Sequence, residues 1–166
     1  MLTLQPSLSN QKPFGSVQEE NLGSIHFRLI FNPDRSVLTV FLFQAVDLVV
    51  PARDQTSPRS VEVFARVRLL PDPGPQFTSQ VHCRSLSPKF EEDFVFEVGR
   101  KELARKSLEI LVIVETEGMR SQNDDEHCAG HVLLPLDQVD LAEPVYLWKG
   151  LSHYEKKVEV TALSFI

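Results

Sequence analysis

Cysteine, glycine and tryptophan are scarce in this 166-residue chain, which holds two, seven and one of them. Two cysteines, Cys83 and Cys128, cannot build a disulfide framework. They point to free thiols in a reducing compartment, hence a cytoplasmic protein. No apolar run is long enough to span a bilayer as a helix. The longest, 37–50, is interrupted by Thr39, Gln44 and Asp47. A basic surplus is also missing: 17 Lys and Arg stand against 23 Asp and Glu, for a net charge of −6. That balance excludes nucleic acid as the expected partner. It also disfavours nonspecific adsorption to anionic lipid, where each Lys or Arg near the surface contributes about 1 kcal/mol. Glycine-rich phosphate loops and the G-x-S-x-G nucleophile elbow are absent, so no enzyme signature is present. Glu91-Glu92-Asp93 reads as a charged strand start and not as a catalytic pair. Residues 1–16 lack a charged segment followed by an apolar one and do not read as a signal peptide.

What the chain does contain is β-strand periodicity. Residues 1–21 are polar and aperiodic and read as a flexible leader. Ile25, Phe27, Leu29 and Phe31 then alternate with polar residues, the pattern of a half-buried strand. Asn32-Pro33-Asp34-Arg35 reads as a turn. Residues 37–43 are apolar on both faces and predict a central strand. Val61, Val63, Ala65, Val67 and Leu69 form another alternating set, ended by a Pro/Gly reversal at 71–75. Residues 77–84 read as a weaker strand, and Phe94, Phe96 and Val98 as the next. Residues 101–106 suit one or two helical turns. Leu108 to Glu115 predicts a strand buried on one face and largely on the other, and 129–135 and 145–148 two more. Eight short strands with turns between them predict an all-β sandwich of two antiparallel sheets. A final segment, 158–166, also reads as a strand.

The order of these pieces carries a family resemblance. Leu22-Gly23-Ser24-Ile25, Leu69-Leu70-Pro71-Asp72, and Leu86-Ser87-Pro88-Lys89-Phe90 followed by Glu92, Phe94 and Phe96 resemble the signature of synaptotagmin-type C2 domains. Ser87 stands where that pattern has Asn. The resemblance covers roughly 22–151 and implies an eight-stranded C2 sandwich of the synaptotagmin (type I) topology. It leaves 152–166 as a linker plus either an added edge strand or the start of a following C2 domain. It further implies a non-enzymatic module of vesicle or membrane trafficking and exocytosis. Its expected partners are trafficking proteins or an adjacent C2 domain, with peripheral membrane contact or an anchor supplied from outside these residues.

C2 domains that bind calcium supply several carboxylates from two loops, as a hard cation with many oxygen ligands requires. Here the first loop, 49–60, offers Asp54 but lacks the family's second Asp, and it carries Arg53 and Arg59. The second, 115–129, offers Glu115, Glu117 and Asp124. Glu in place of Asp changes reach by a methylene. The expectation is no metal or other cofactor, with a low-affinity calcium site at Asp54, Glu115, Glu117 and Asp124 as the alternative reading. Calcium-free C2 domains often hold phosphoinositides on a Lys-rich strand. The corresponding strand here reads FTSQVHCR, and the available cations are Arg66, Arg68, Arg84 and Lys89, a small patch at best. The His82-Cys83 and His127-Cys128 pairs do not suit zinc, because adjacent strand residues face opposite ways. Buried cysteine with exposed histidine is expected instead. Val49 and Val50 are expected to pack against the sandwich end, while Met119 at the second loop is left open between packing and membrane contact.

Overall fold

The computed structural model describes residues 21–50, 60–71, 74–116 and 127–155. Among these, nine strands form two antiparallel sheets. The first has the order β6-β2-β1-β9, built from β1 (Ser24–Asn32), β2 (Val37–Val46), β6 (Lys89–Glu97) and β9 (Val145–Gly150). The second runs β3 (Val61–Leu70), β7 (Ser107–Thr116) and β8 (Cys128–Pro135). On the free side of β3 lie β4 (Gln76–Thr78) and β5 (His82–Cys83), in one strand position. The nine segments therefore fill eight positions, and the eight-stranded sandwich read from the sequence is what forms.

Alternation does most of the work. Ile25, Phe27 and Leu29 of β1 and Leu38, Val40 and Leu42 of β2 point between the sheets and are fully buried. Their sequence neighbours face outward, as a period of two demands. Strand β7 is buried along both faces from Leu108 to Glu115, which makes it the most enclosed strand described. The helical turn expected before it forms as α1 (Arg100–Leu103). The β1–β2 turn closes on Asn32, whose Oδ1 accepts hydrogen bonds from the backbone N–H groups of Asp34 (3.0 Å) and Arg35 (3.2 Å). The Leu-Ser-Pro corner knits β6 to the exit of β2. Ala45 N–H donates to the Pro88 carbonyl, Leu48 N–H to that of Leu86, and Asp47 N–H to the Ser87 hydroxyl. Ser87 thus supplies an oxygen acceptor to the corner.

Three expectations need correction. The strand at 77–84 is broken in two by Ser79. This buried residue donates its N–H to the Ala65 carbonyl, and its Oγ accepts from Ala65 N–H, each at 2.8 Å. A hydroxyl standing where a backbone carbonyl would continue the ladder lets the chain turn away. At β5 the faces are reversed from expectation. Cys83 is exposed, while His82 is half-buried with its ring edge-on to Phe90 at 5.3 Å. Val50 packs against the core, but Val49 is 45% exposed. Residues 1–20 of the leader, Met119 and the segment 158–166 lie outside the described residues.

Gly23 opens the domain at φ 99°, where L side chains are strained. A Cβ there would lie 2.7 Å from the Val46 carbonyl oxygen and 2.8 Å from that of Asp47. Both are backbone atoms held in sheet or corner. Gly23→Ala is expected to lose about 1–3 kcal/mol. The measurement is the urea midpoint at constant slope, and an unmoved midpoint would show that the chain can re-enter β1 another way.

Candidate functional site

Three regions bear on function: the loop pole, the outer face of the β3-β7-β8 sheet, and the outer face of the β6-β2-β1-β9 sheet. At the loop pole, Asp54, Glu117 and Asp124 lie outside the described residues. Glu115 lies at the end of β7, in register with Glu62 of β3, and is 1% exposed. Among the described residues no cluster of three or more His, Cys, Asp or Glu side chains is placed to hold a metal.

The outer face of β3 carries Arg66 and Arg68, two residues apart and lining one small cavity with Leu111, Cys128 and Tyr154. Arg68 is fully engaged. Its Nε donates to Glu109 Oε1 at 2.6 Å, and a terminal guanidinium nitrogen approaches the same oxygen at 2.6 Å. The second carboxylate oxygen, Oε2, lies 2.9 Å from His131 Nδ1. Glu109 is 3% exposed. Burial by itself would push its carboxyl up, but the hydrogen bonds from His131 and Arg68 and the Arg68 charge outweigh this and hold it below the usual range. For Arg68, burial would lower the value. The bond to Glu109, its charge and a further bond to the Tyr154 phenol reverse that and raise it. The segment after β9 closes over this network. Ser152 pairs with His131 in both backbone directions at 2.9 Å, and the Tyr154 ring meets His131 at 5.2 Å.

Of the four predicted cations, Arg66 and Arg68 line that one cavity, and Arg84 and Lys89 do not. Arg66 sits over the Phe64 ring at 5.7 Å. Arg84 follows β5 with φ 63°, its N–H bonded to the Val61 carbonyl. Lys89 begins β6 and belongs to the other sheet, opposite Gln44.

The β6-β2-β1-β9 sheet presents an aromatic face. The register slips between His26 and Phe27, so that Phe43 is an extra residue of β2 beside Gln44. A bulge of this kind re-aims side chains, and it sets Phe43 on the outer face against His26. His26 is stacked between Phe43 and Trp148, 4.5 Å from each, with interplanar angles of 23° and 3°. The Arg28 guanidinium lies 5.1 Å from the Phe41 ring centre and 5.9 Å from those of Phe43 and Tyr146. Trp148 and Tyr146 are 53% and 60% exposed.

A profile of the C2 domain matches residues 36–151. The chain belongs to the C2 domain family. This C2 domain is 37% identical to synaptotagmin-2 of Mus musculus over 140 residues, which is 83% of the chain and 31% of that protein. It is 31% identical to human synaptotagmin-7 over 151 residues, 91% of the chain and 36% of the relative. It therefore spans about a third of the length of the curated relatives it matches. Among solved structures, a C2 domain of RIM2 superposes with a TM-score of 0.61 at 25% identity, covering 78% of this chain and 97% of that one. The third C2 domain of the KIAA1228 protein gives 0.69 at 24% identity, covering 92% and 99%, a likeness of fold.

Within this C2 domain, sequence reasoning missed Glu109, His131 and the aromatic face. A lone acid in the apolar run LEILVIV was the available signal for the first. Phe41 and Phe43 on the solvent side of β2, facing His26 and Arg28 of β1, were the signal for the aromatic face. No described helix is long and apolar enough to cross a membrane.

Proposed function

We propose that this C2 domain is a non-enzymatic interaction module of a synaptotagmin-like protein in membrane trafficking. It works at the cytoplasmic side of membranes without calcium and contacts protein partners more than lipid. Residues 22–151 form the module, and 152–166 hold a linker plus either an added edge strand or the start of a following C2 domain.

The observation that carries this reading is the engagement of Arg68. Of the two arginines on the outer β3 face, Arg68 is already bound to buried Glu109, beneath the segment that carries Ser152 and Tyr154. Breaking such a pair leaves an uncompensated charge, so a headgroup would have to replace Glu109 at a large cost. The acidic net charge works in the same direction. At the loop pole, the missing second Asp, Arg53 and Arg59 in the first loop, and Glu in place of Asp in the second all weaken a calcium cage.

Calcium titration by calorimetry is expected to give no saturable heat at micromolar ion. Liposomes carrying phosphatidylserine or phosphoinositide are expected to leave the protein in the supernatant, with or without calcium. Saturable micromolar binding would overturn the proposal. Calcium-dependent pelleting would assign phospholipid binding to Asp54, Glu115, Glu117 and Asp124 instead.

A further inference from the structure

The outer face of the β6-β2-β1-β9 sheet has a charge pattern that is its own complement. Strand registers place Asp93, Phe41, Arg28 and Tyr146 in one row across four strands, because Phe41 pairs with Asp93, and Arg28 pairs with both Phe41 and Tyr146. On one side of this row stand Phe43, His26 and Trp148, stacked. On the other stand Val95, Thr39 and Ile30, in register across β6, β2 and β1. The face is thus acidic at one edge, aromatic at the other, and cationic near the middle. Arg28 is half-buried among rings and has no carboxylate partner among the described residues, and its Nε is buried without a hydrogen bond. An arginine held in that state is prepared for an anion that arrives from outside.

We propose that this face binds a second copy of the chain. The two sheets pack face to face about a two-fold axis parallel to the strands and midway between β1 and β2. That operation reverses each row. Arg28 of one copy then lies over Phe41 of the other, one strand spacing (about 4.8 Å) from its Asp93. Asp93 in turn faces the Tyr146 hydroxyl. The same contacts repeat by symmetry, as an isologous interface requires. Aromatic residues and arginine are the types that dominate protein interfaces.

Other occupants fit less well. The exposed acidic edge at Asp93 and Glu97 opposes an anionic bilayer. The face is an open sheet and offers no enclosed site for a small ligand. The footprint of four strands by three rows is roughly 20 Å by 20 Å, below the roughly 800 Å² per partner of a standard interface. The dimer therefore forms in the micromolar to millimolar range. The proposal concerns a different face from the calcium reading and stands or falls separately from it.

The test is sedimentation equilibrium of the 166-residue chain across that range, with reductant present because Cys83 is exposed and free. Trp148 is the one tryptophan, so its emission should shift to the blue with concentration as the dimer forms. Arg28→Glu and Asp93→Arg should each weaken association by at least about tenfold. Mixing the two variants should restore it, and so should combining both changes in one chain, because each arrangement sets the introduced carboxylate against the introduced guanidinium across the interface. A chain that stays monomeric at millimolar concentration overturns the proposal. So does a dimer indifferent to both substitutions, or charge-swapped pairs that fail to reassociate while remaining folded by circular dichroism. A Trp148 shift on neutral or anionic vesicles without dimerisation would assign the face to lipid and likewise overturn it.

Discussion

Glu109→Ala is expected to destabilise the fold by about 3–5 kcal/mol, the range for breaking a buried ion pair by removing one partner. The cost comes from what is left behind. Arg68 and His131, with side chains 21% and 16% exposed, would lose their shared acceptor, and water does not reach them freely. Glu109→Gln keeps the shape and one acceptor oxygen but removes the charge. It should lose about 1.5–3 kcal/mol, the scale of hydrogen bonds to charged groups. The pH dependence has a definite sign. The folded-state carboxyl is held below its ordinary value, so its stabilising contribution is complete above the unfolded carboxylate range, about 4.3. It disappears as pH falls through the folded value. Urea midpoints measured from neutral to acidic pH should fall more steeply for the wild type than for Glu109→Gln. Parallel curves would remove Glu109 from the acid response, and a loss under about 1 kcal/mol for the alanine variant would reduce the network to an ordinary surface pair.

Phe27→Ala is expected to have a similar effect for an unrelated reason. Phe27 lies at the middle of β1, fully buried, in register with Leu42 on one side and Leu147 on the other. Truncation removes the ring's burial and leaves a cavity between two sheets whose backbones are fixed by hydrogen bonds, so collapse is limited. Losses of about 3–5 kcal/mol are usual for Phe to Ala in such cores. Tyr146→Ala, one row along on the opposite face, should change monomer stability by no more than about 0.5 kcal/mol. Equal midpoints for the two variants would contradict the assignment of inner and outer faces.

That assignment was largely legible in the sequence, because long strands with one apolar face carry a period-two signal at every second residue. Ile25 to Phe31, Val61 to Leu69 and Phe94 to Val98 all point where their alternation directs. The signal fails where it is short or where both faces are apolar. A two-residue strand such as β5 has no period, and whether His82 or Cys83 turned inward depended on Phe90 across the sandwich. In β7 both faces are enclosed, so the alternation that marks a polar outer face is missing and nothing in the strand's own period singles out Glu109 as the centre of a network. Its partners lie 41 residues before it and 22 after it, and only the β3-β7-β8 register brings them together. The aromatic face has the same origin, since it is drawn from four strands and from a bulge that no single segment displays. Of the calcium-loop candidates, only Glu115 falls within the described residues.

The place of β1 in its sheet also has a bearing on how the domain is made. One edge of β1 pairs with β2 across a four-residue turn, but the other pairs with β9, from Ser24 with Gly150 to Leu29 with Val145. During synthesis that second edge stays open until nearly the whole domain has been translated. A nascent chain would carry an unpaired strand edge beside Phe41 and Phe43 for most of this time, the situation in which edge strands recruit other chains. Pairing across so long a stretch of sequence is also slow, because loop closure must precede the contacts that reward it. The domain closes last where it began.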